Sequence, residues 1–203
     1  MKVPVTVYAE MTPNPSTMKF VANKYLLITG ESVEFASKKE AIGFSPLVEA
    51  LFNFPFVKSV FITANFVTIT KTNNVPWDFI TMELREFVKE WISEGKDVLI
   101  QMPQVVKNEN RDVNQSSDAS NMDFEASELD EEIRSLLDQY VRPAVENDGG
   151  AIDFLGFKDG VVSVRMKGAC AGCPSSTATL KGGIETLLKQ YLPAVNTVLA
   201  VNS

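Results

Sequence analysis

The residues best suited to chemistry are Cys170 and Cys173, the only two cysteines in a chain of 203 residues that has no histidine. They lie in Gly168-Ala169-Cys170-Ala171-Gly172-Cys173-Pro174. A disulfide across so short a loop would remove little chain entropy, which makes a structural bridge a poor explanation of the pair. Metal or redox chemistry is the better one. Pro174 suits the first position of a helix, so Cys173 is the expected N-cap. Unpaired N–H groups and the macrodipole at that end favour the thiolate, the form that binds metal. Gly168 and Gly172 permit positive φ and let backbone N–H groups approach bridging sulfides, while Ala169 and Ala171 leave space beside the thiols. Ser175, Ser176 and Thr177 fill the first helical turn, where their hydroxyls either bond cluster sulfurs or serve as ordinary first-turn residues.

Ligand counting sets the assembly. A four-iron cluster and an all-cysteine zinc site each take four thiolates. One protomer supplies two, and the lack of histidine removes every imidazole ligand and base. A metal centre on Cys170 and Cys173 therefore demands a homodimer, with a two-fold axis placing both pairs around one site. Such a site opens when the protomers separate, which suits transfer better than storage. On the residues alone the pair admits a shared iron-sulfur cluster, a shared zinc ion in an adaptor dimer, or a thiol-disulfide enzyme using Cys170 or Cys173 as nucleophile. The enzyme fits least, because thioredoxin-like proteins set CxxC after a strand in a βαβ unit, and here it lies between a hairpin and a helix.

The elements that must hold the pair follow from hydrophobic period. From Glu128 a helix is predicted, capped by Ser127, with Leu129, Ile133, Leu136, Leu137, Tyr140 and Val141 on one stripe. Gly149-Gly150 ends it. Ile152 to Phe157 and Val161 to Lys167 alternate as strands around the turn Lys158-Asp159-Gly160. Pro174 to Leu192 reads as a helix with Leu180, Ile184, Leu187, Leu188 and Tyr191 on a common face, and Val195 to Val201 as a last strand. The order is αββαβ. Gly182-Gly183 within that helix costs roughly 1 kcal/mol per glycine, so a close approach or a bend is expected there.

Upstream, VPVTVYAE alternates as a strand, TPNPST supplies a turn, and strands are predicted over Met18 to Val21 and Tyr25 to Thr29, joined at Asn23. Ser45-Pro46 opens a helix through LVEALFNF that Pro55 ends. Val57 to Ile62 and Phe66 to Lys71 form a hairpin around Thr63-Ala64-Asn65. Pro76 begins a helix with Phe79, Ile80, Leu84, Phe87, Val88, Trp91 and Ile92 on its apolar side, capped by Gly95. Between Pro103 and Ser127 the period vanishes and asparagine, serine and acids accumulate, as in a flexible linker. The expectation is two small α+β domains, residues 1–98 and 128–203, joined by a flexible acidic linker over 99–127.

The segment from Leu137 onward resembles the NifU-like, or Nfu-type, C-terminal domain, through RPAVENDGG, GACAGCPSST and LKGGIE in that order. The first domain is similar to the Nfu-type N-terminal domain, through TPNPSTMKF, SPLVEALFNFPFVKSVFITANFVTITK and the helix from Pro76. Together the two likenesses cover all but the linker. They imply a scaffold or carrier, not an enzyme, that binds a [4Fe-4S] cluster at a dimer interface and passes it from upstream assembly proteins to recipient apoproteins. Cys170 and Cys173 inherit the ligand role. The first domain has neither thiol nor histidine, and is expected to recognise partners, regulate, or simply add solubility and stability.

Bulk properties exclude other classes. A net charge of -7 argues against tracking nucleic-acid phosphates, which needs clustered lysine and arginine. No stretch approaches the roughly 20 apolar residues that cross a bilayer, and Met1 to Pro13 lacks a signal-peptide pattern. These features together lead to the expectation of a soluble, cytoplasmic protein.

Overall fold

A computed structural model describes residues 4–27, 31–103, 127–171 and 174–202. Most of the expected linker, and Cys173 itself, lie outside them. The described chain forms two small α+β units, each with its own sheet and hydrophobic core.

The first sheet has five strands, β1 (Val7–Met11), β2 (Thr17–Ala22), β3 (Ser32–Phe35), β4 (Val57–Thr63) and β5 (Phe66–Lys71), in the order β1-β2-β5-β4-β3. Every pairing is antiparallel. Between β3 and β4 lie two short helices, α1 (Lys38–Ala41) and α2 (Pro46–Leu51), and α3 (Trp77–Ser93) follows β5. Ser45 caps α2 as its sequence suggests, its hydroxyl accepting from the Val48 N–H at 3.2 Å. In α3 the buried residues are Ile80, Leu84, Val88 and Ile92, a four-residue stripe set against Phe20, Val60, Ile62, Val67 and Ile69 of the sheet. Phe79 falls outside that stripe and is 77% exposed, so the apolar side is narrower than the sequence suggests. Gly95 ends the helix at φ +72.

The expected strand at Tyr25 does not form, and residues 28 and 29 lie outside the described ones. Asn23 instead ties back to the start of the chain, accepting from the Thr6 N–H, while the N–H groups of Leu26 and Leu27 both donate to the Ala64 carbonyl. That leaves β3, which the sequence reading misses, to pair with β4.

In the second unit, α4 (Asp130–Leu136) runs through a wide π-type turn (Leu137–Val141) into α5 (Arg142–Asn147). Pro143 explains the irregularity. It has no N–H to donate and its ring crowds the carbonyl four residues back, and the wide turn absorbs this without breaking the helix. Ser127 caps the turn before α4, its hydroxyl accepting from the Leu129 N–H. Strands β6 (Gly150–Lys158) and β7 (Val161–Gly168) pair antiparallel around Asp159 at φ 51 and Gly160 at φ 80, the left-handed pair that a tight two-residue hairpin requires. Helix α6 (Pro174–Tyr191) crosses over to β8 (Thr197–Asn202), which pairs parallel to β7. Ile133, Leu137, Val141 and Val145 from the first helices meet Val162, Val164 and Met166 of β7 and Ile184 and Leu188 of α6. Burial at this level is worth about 1.5 to 3 kcal/mol per large aliphatic side chain. Tyr140 and Tyr191, expected on apolar stripes, are half-exposed and stack on each other at 5.8 Å.

A Cβ at Gly182 or Gly183 would meet nothing within 4 Å, so the expected close approach to that doublet is absent among the described residues. One turn on, Glu185 ties α6 to the start of β8. Its carboxylate accepts from the Val198 N–H at 3.1 Å and the Thr197 hydroxyl at 3.0 Å, and pairs with Lys189 at 2.6 Å. Its pKa is pushed down to about 2, chiefly by Lys189 and then by the Val198 N–H. A carboxylate whose folded pKa lies below its unfolded one stabilises the fold above the unfolded value, and that contribution disappears as pH falls toward the folded one. Glu185→Gln is therefore expected to flatten the loss of stability between about pH 4.5 and pH 2, read as urea midpoint against pH. An unchanged profile would show that this tether does not act in folding.

Candidate functional site

The site is built where β7 gives way to α6. Gly168 closes β7 at φ +64, a left-handed turn that sends Ala169 and Cys170 back over the start of β6. The Ala169 N–H donates to the Gly149 carbonyl at 3.2 Å and the Ala171 N–H to the Gly168 carbonyl at 3.1 Å. From the far side, the Thr177 hydroxyl donates to the Cys170 carbonyl at 3.3 Å. Of the two roles open to Thr177, its hydroxyl takes a local one, anchoring the backbone of Cys170. Gly172, Cys173 and the side chains of Pro174, Ser175 and Ser176 lie outside the described residues, so the structure positions one member of the predicted pair.

Cys170 points inward. It is 5% exposed and packs with the second hydrophobic core. Its sulfur rests in a notch made by Gly150, where a Cβ would come to 2.7 Å from Sγ and 2.7 Å from the Lys167 carbonyl. The neighbouring Gly149 has a different role. At φ +84 it ends α5, its N–H donating to the Glu146 carbonyl, and its own carbonyl receives Ala169. The sequence reading favours a helix-ending turn for the doublet over a direct functional role. Two adjacent glycines where one suffices to stop a helix are the signal it passes over: the first supplies the dihedral, and the second the space.

Residues of the first unit also reach this loop, and no motif in the sequence links them to it. The Thr68 hydroxyl donates to the Gly149 carbonyl at 2.7 Å, the Asn14 side-chain amide to the Ala169 carbonyl at 3.2 Å, and Lys19 to the Asn147 carbonyl at 3.2 Å. Glu34 accepts from the Gly168 N–H at 3.3 Å. Phe61, 1% exposed, lies against Gly168, and with Phe66 it encloses Ala151.

Among the described residues, no three His, Cys, Asp or Glu side chains gather to hold a metal within one chain. No described helix is long and apolar enough to cross a membrane.

Comparison with known proteins matches both halves of the chain. Residues 7–95 fit the model of the scaffold protein Nfu/NifU N terminal, and residues 133–199 that of the NifU-like domain. Among curated relatives, NifU-like protein 4, mitochondrial, of Arabidopsis thaliana is 36% identical over 198 residues, spanning 95% of this chain and 64% of that protein. The NFU1 iron-sulfur cluster scaffold homolog, mitochondrial, of Drosophila erecta is 35% identical over 209 residues, 98% of this chain and 68% of its own length. The solution structure of a NifU-like protein from Saccharomyces cerevisiae aligns over 48% of this chain and 87% of its own, at 26% identity and a TM-score of 0.44. The chain thus spans about two thirds of the length of the relatives it matches. Their names place them in mitochondria, which overturns the cytoplasmic expectation. Cysteine usage and composition report whether a compartment is reducing, and they do not separate one reducing compartment from another.

Proposed function

This chain belongs to the Nfu family of NifU-like proteins, and from that premise we propose that it is an iron-sulfur cluster scaffold whose cargo is a [4Fe-4S] cluster. Cys170 and Cys173 of each of two protomers hold the cargo, upstream assembly proteins supply it and recipient apoproteins take it. The observation that carries this reading is the placement of Cys170 at the β7–α6 junction of a NifU-like domain, in a chain with two cysteines and no histidine. With two thiolates per chain, a cluster that needs four is complete only when two copies meet. The relatives' names, which describe scaffolds, support the same role. The domains are residues 1–98 and 128–203 with a linker between, the second carrying the cargo and the first serving recognition or regulation.

Holding the cargo requires thiolates, and Cys173, next before Pro174 in the sequence, is where the unpaired N–H groups of a helix start would favour one. Thr177 and Gly150 set the backbone and the space around Cys170. Transfer would exchange the iron–thiolate bonds of this chain for those of a recipient and leave the cluster's own iron–sulfide bonds in place, so the chain acts by binding and release.

Anaerobic reconstitution with iron and sulfide tests the proposal, read by visible spectrum, metal content and mass in solution. A broad visible absorbance with about four iron and four sulfide per dimer is the expected result. Stoichiometric zinc in a colourless dimer, or a metal-free monomer cycling a disulfide, would replace it with the adaptor or the thiol-disulfide enzyme.

A further inference from the structure

The middle of the first sheet, on β2, β4 and β5, is buried on both faces, although its helices cover only one. On β4 and β5, Val60, Ile62, Val67 and Ile69 point into the core under α3, whereas Phe61, Phe66 and Thr68 alternate to the opposite face. These three are 1%, 3% and 1% exposed. What covers them is the second unit: Phe61 and Phe66 cluster with Ala151 and not with the core of their own unit. Large aromatic side chains on an uncovered sheet face would normally mark an interaction surface. Here the occupant is on the page, and it is the segment that carries Cys170.

The geometry points to the outer face of the N-terminal sheet as a docking surface for the cysteine loop of the same chain, a latch that keeps Cys170 turned inward until it is released. This deepens the scaffold reading and rests on it for its purpose. A thiolate that joins a cluster shared between two chains must stand at the protomer surface, and Cys170 is 5% exposed. Turning it outward means moving the backbone on either side of it. The first unit holds that backbone by side chains: Asn14 on the Ala169 carbonyl, Thr68 on the Gly149 carbonyl that also binds the Ala169 N–H, and Glu34 on the Gly168 N–H. Phe61 seals the turn at Gly168, where a Cβ would come within 2.9 Å of its ring. Lys19 completes the surface. Buried over the Phe66 ring at 4.6 Å and bonded to the Asn147 carbonyl, it closes the end of α5 onto the sheet. The contacts combine a small apolar centre with polar bonds to main chain, the composition of an interface built to open. Release costs the N-terminal unit none of its own core.

The test uses the full-length, reduced, metal-free chain and its rate of Cys170 alkylation by iodoacetamide, followed by site-resolved mass spectrometry. Phe61→Asp places a carboxylate in the closed contact and leaves the core under α3 intact, so it is expected to raise the Cys170 rate at least about ten-fold by populating the open form. Thr68→Val keeps shape and strand preference while removing one bond, and is expected to raise the rate roughly five-fold. The radius of gyration by X-ray scattering should increase in Phe61→Asp. Wild-type Cys170 rates in both variants, with native circular dichroism, would overturn the latch. Should Phe61→Asp fail to fold, Thr68→Val decides alone. No iron is present, so the alkylation result stands or falls apart from the scaffold reading, which the reconstitution yield of the wild-type chain tests separately. Faster cluster uptake by Phe61→Asp than by wild type then joins the two.

Discussion

Cys170→Ala is expected to give a folded chain that no longer takes up iron and sulfide. In the proposed symmetric dimer one substitution removes two of the four thiolates, and the two that remain cannot complete a cluster that needs four. The fold should survive, because the second core closes on Ile133, Leu137, Val164, Met166, Ile184 and Leu188 without metal. Replacing a buried cysteine by alanine in such a core costs about 1 kcal/mol, a small part of a typical stability of about 5 to 15 kcal/mol. The measurement is iron per protomer after anaerobic reconstitution, beside a urea unfolding curve. The expected pair of results is iron at background and a midpoint only slightly lowered. Retention of more than half of the wild-type iron would remove Cys170 from the ligand set and with it the proposed dimeric site.

The sequence made the second unit legible almost element by element, because each of its signals is local. Asp159-Gly160 forces a hairpin, Pro174 starts a helix, and the three- and four-residue spacing of Ile184 and Leu188 gives that helix its buried face. In the first unit the β4–β5 hairpin and α3 were readable for the same reason. Where the sequence misled, tertiary contacts had overridden local pattern. Tyr25 to Leu27 has strand composition, yet its N–H groups bond to the tip of a distant hairpin. The helix expected from Glu128 to the Gly149-Gly150 doublet does run that far, but with a wide turn ahead of Pro143 that the periodicity does not show. The cysteine pair stood out because residue type and spacing identify it. Its surroundings did not, since Thr68 and Asn14 lie 81 and 155 residues from the backbone groups they bond. A two-sided strand such as Val60-Phe61-Ile62 does carry a hint: its continuous apolar run implies that something covers both faces, without saying what.

Gly150→Ala is expected to drive Cys170 out of its inward position while keeping both cysteines and the capacity to take up the cluster. The added methyl would lie 2.7 Å from the Cys170 sulfur and 2.7 Å from the Lys167 carbonyl. The carbonyl belongs to Lys167 of β7, which pairs with Ala151 of β6, and it cannot withdraw without disturbing that ladder. The sulfur must therefore yield, and with it the loop that presents it. Overpacking of this kind costs about 1 to 3 kcal/mol. Gly43→Ala is a suitable control: Gly43 has φ +80, so alanine is strained there too, but its Cβ would meet nothing within 4 Å and it lies in the other unit. Both variants should lower the thermal midpoint, and only Gly150→Ala should raise the alkylation rate of Cys170 in the metal-free chain. That contrast separates a defect at the ligand from a general loss of stability, since instability alone would affect both proteins in proportion to their midpoints. A wild-type alkylation rate in Gly150→Ala would mean that the strand yields and the sulfur keeps its notch, and iron at background after reconstitution would mean that the cluster needs the inward position, against the latch.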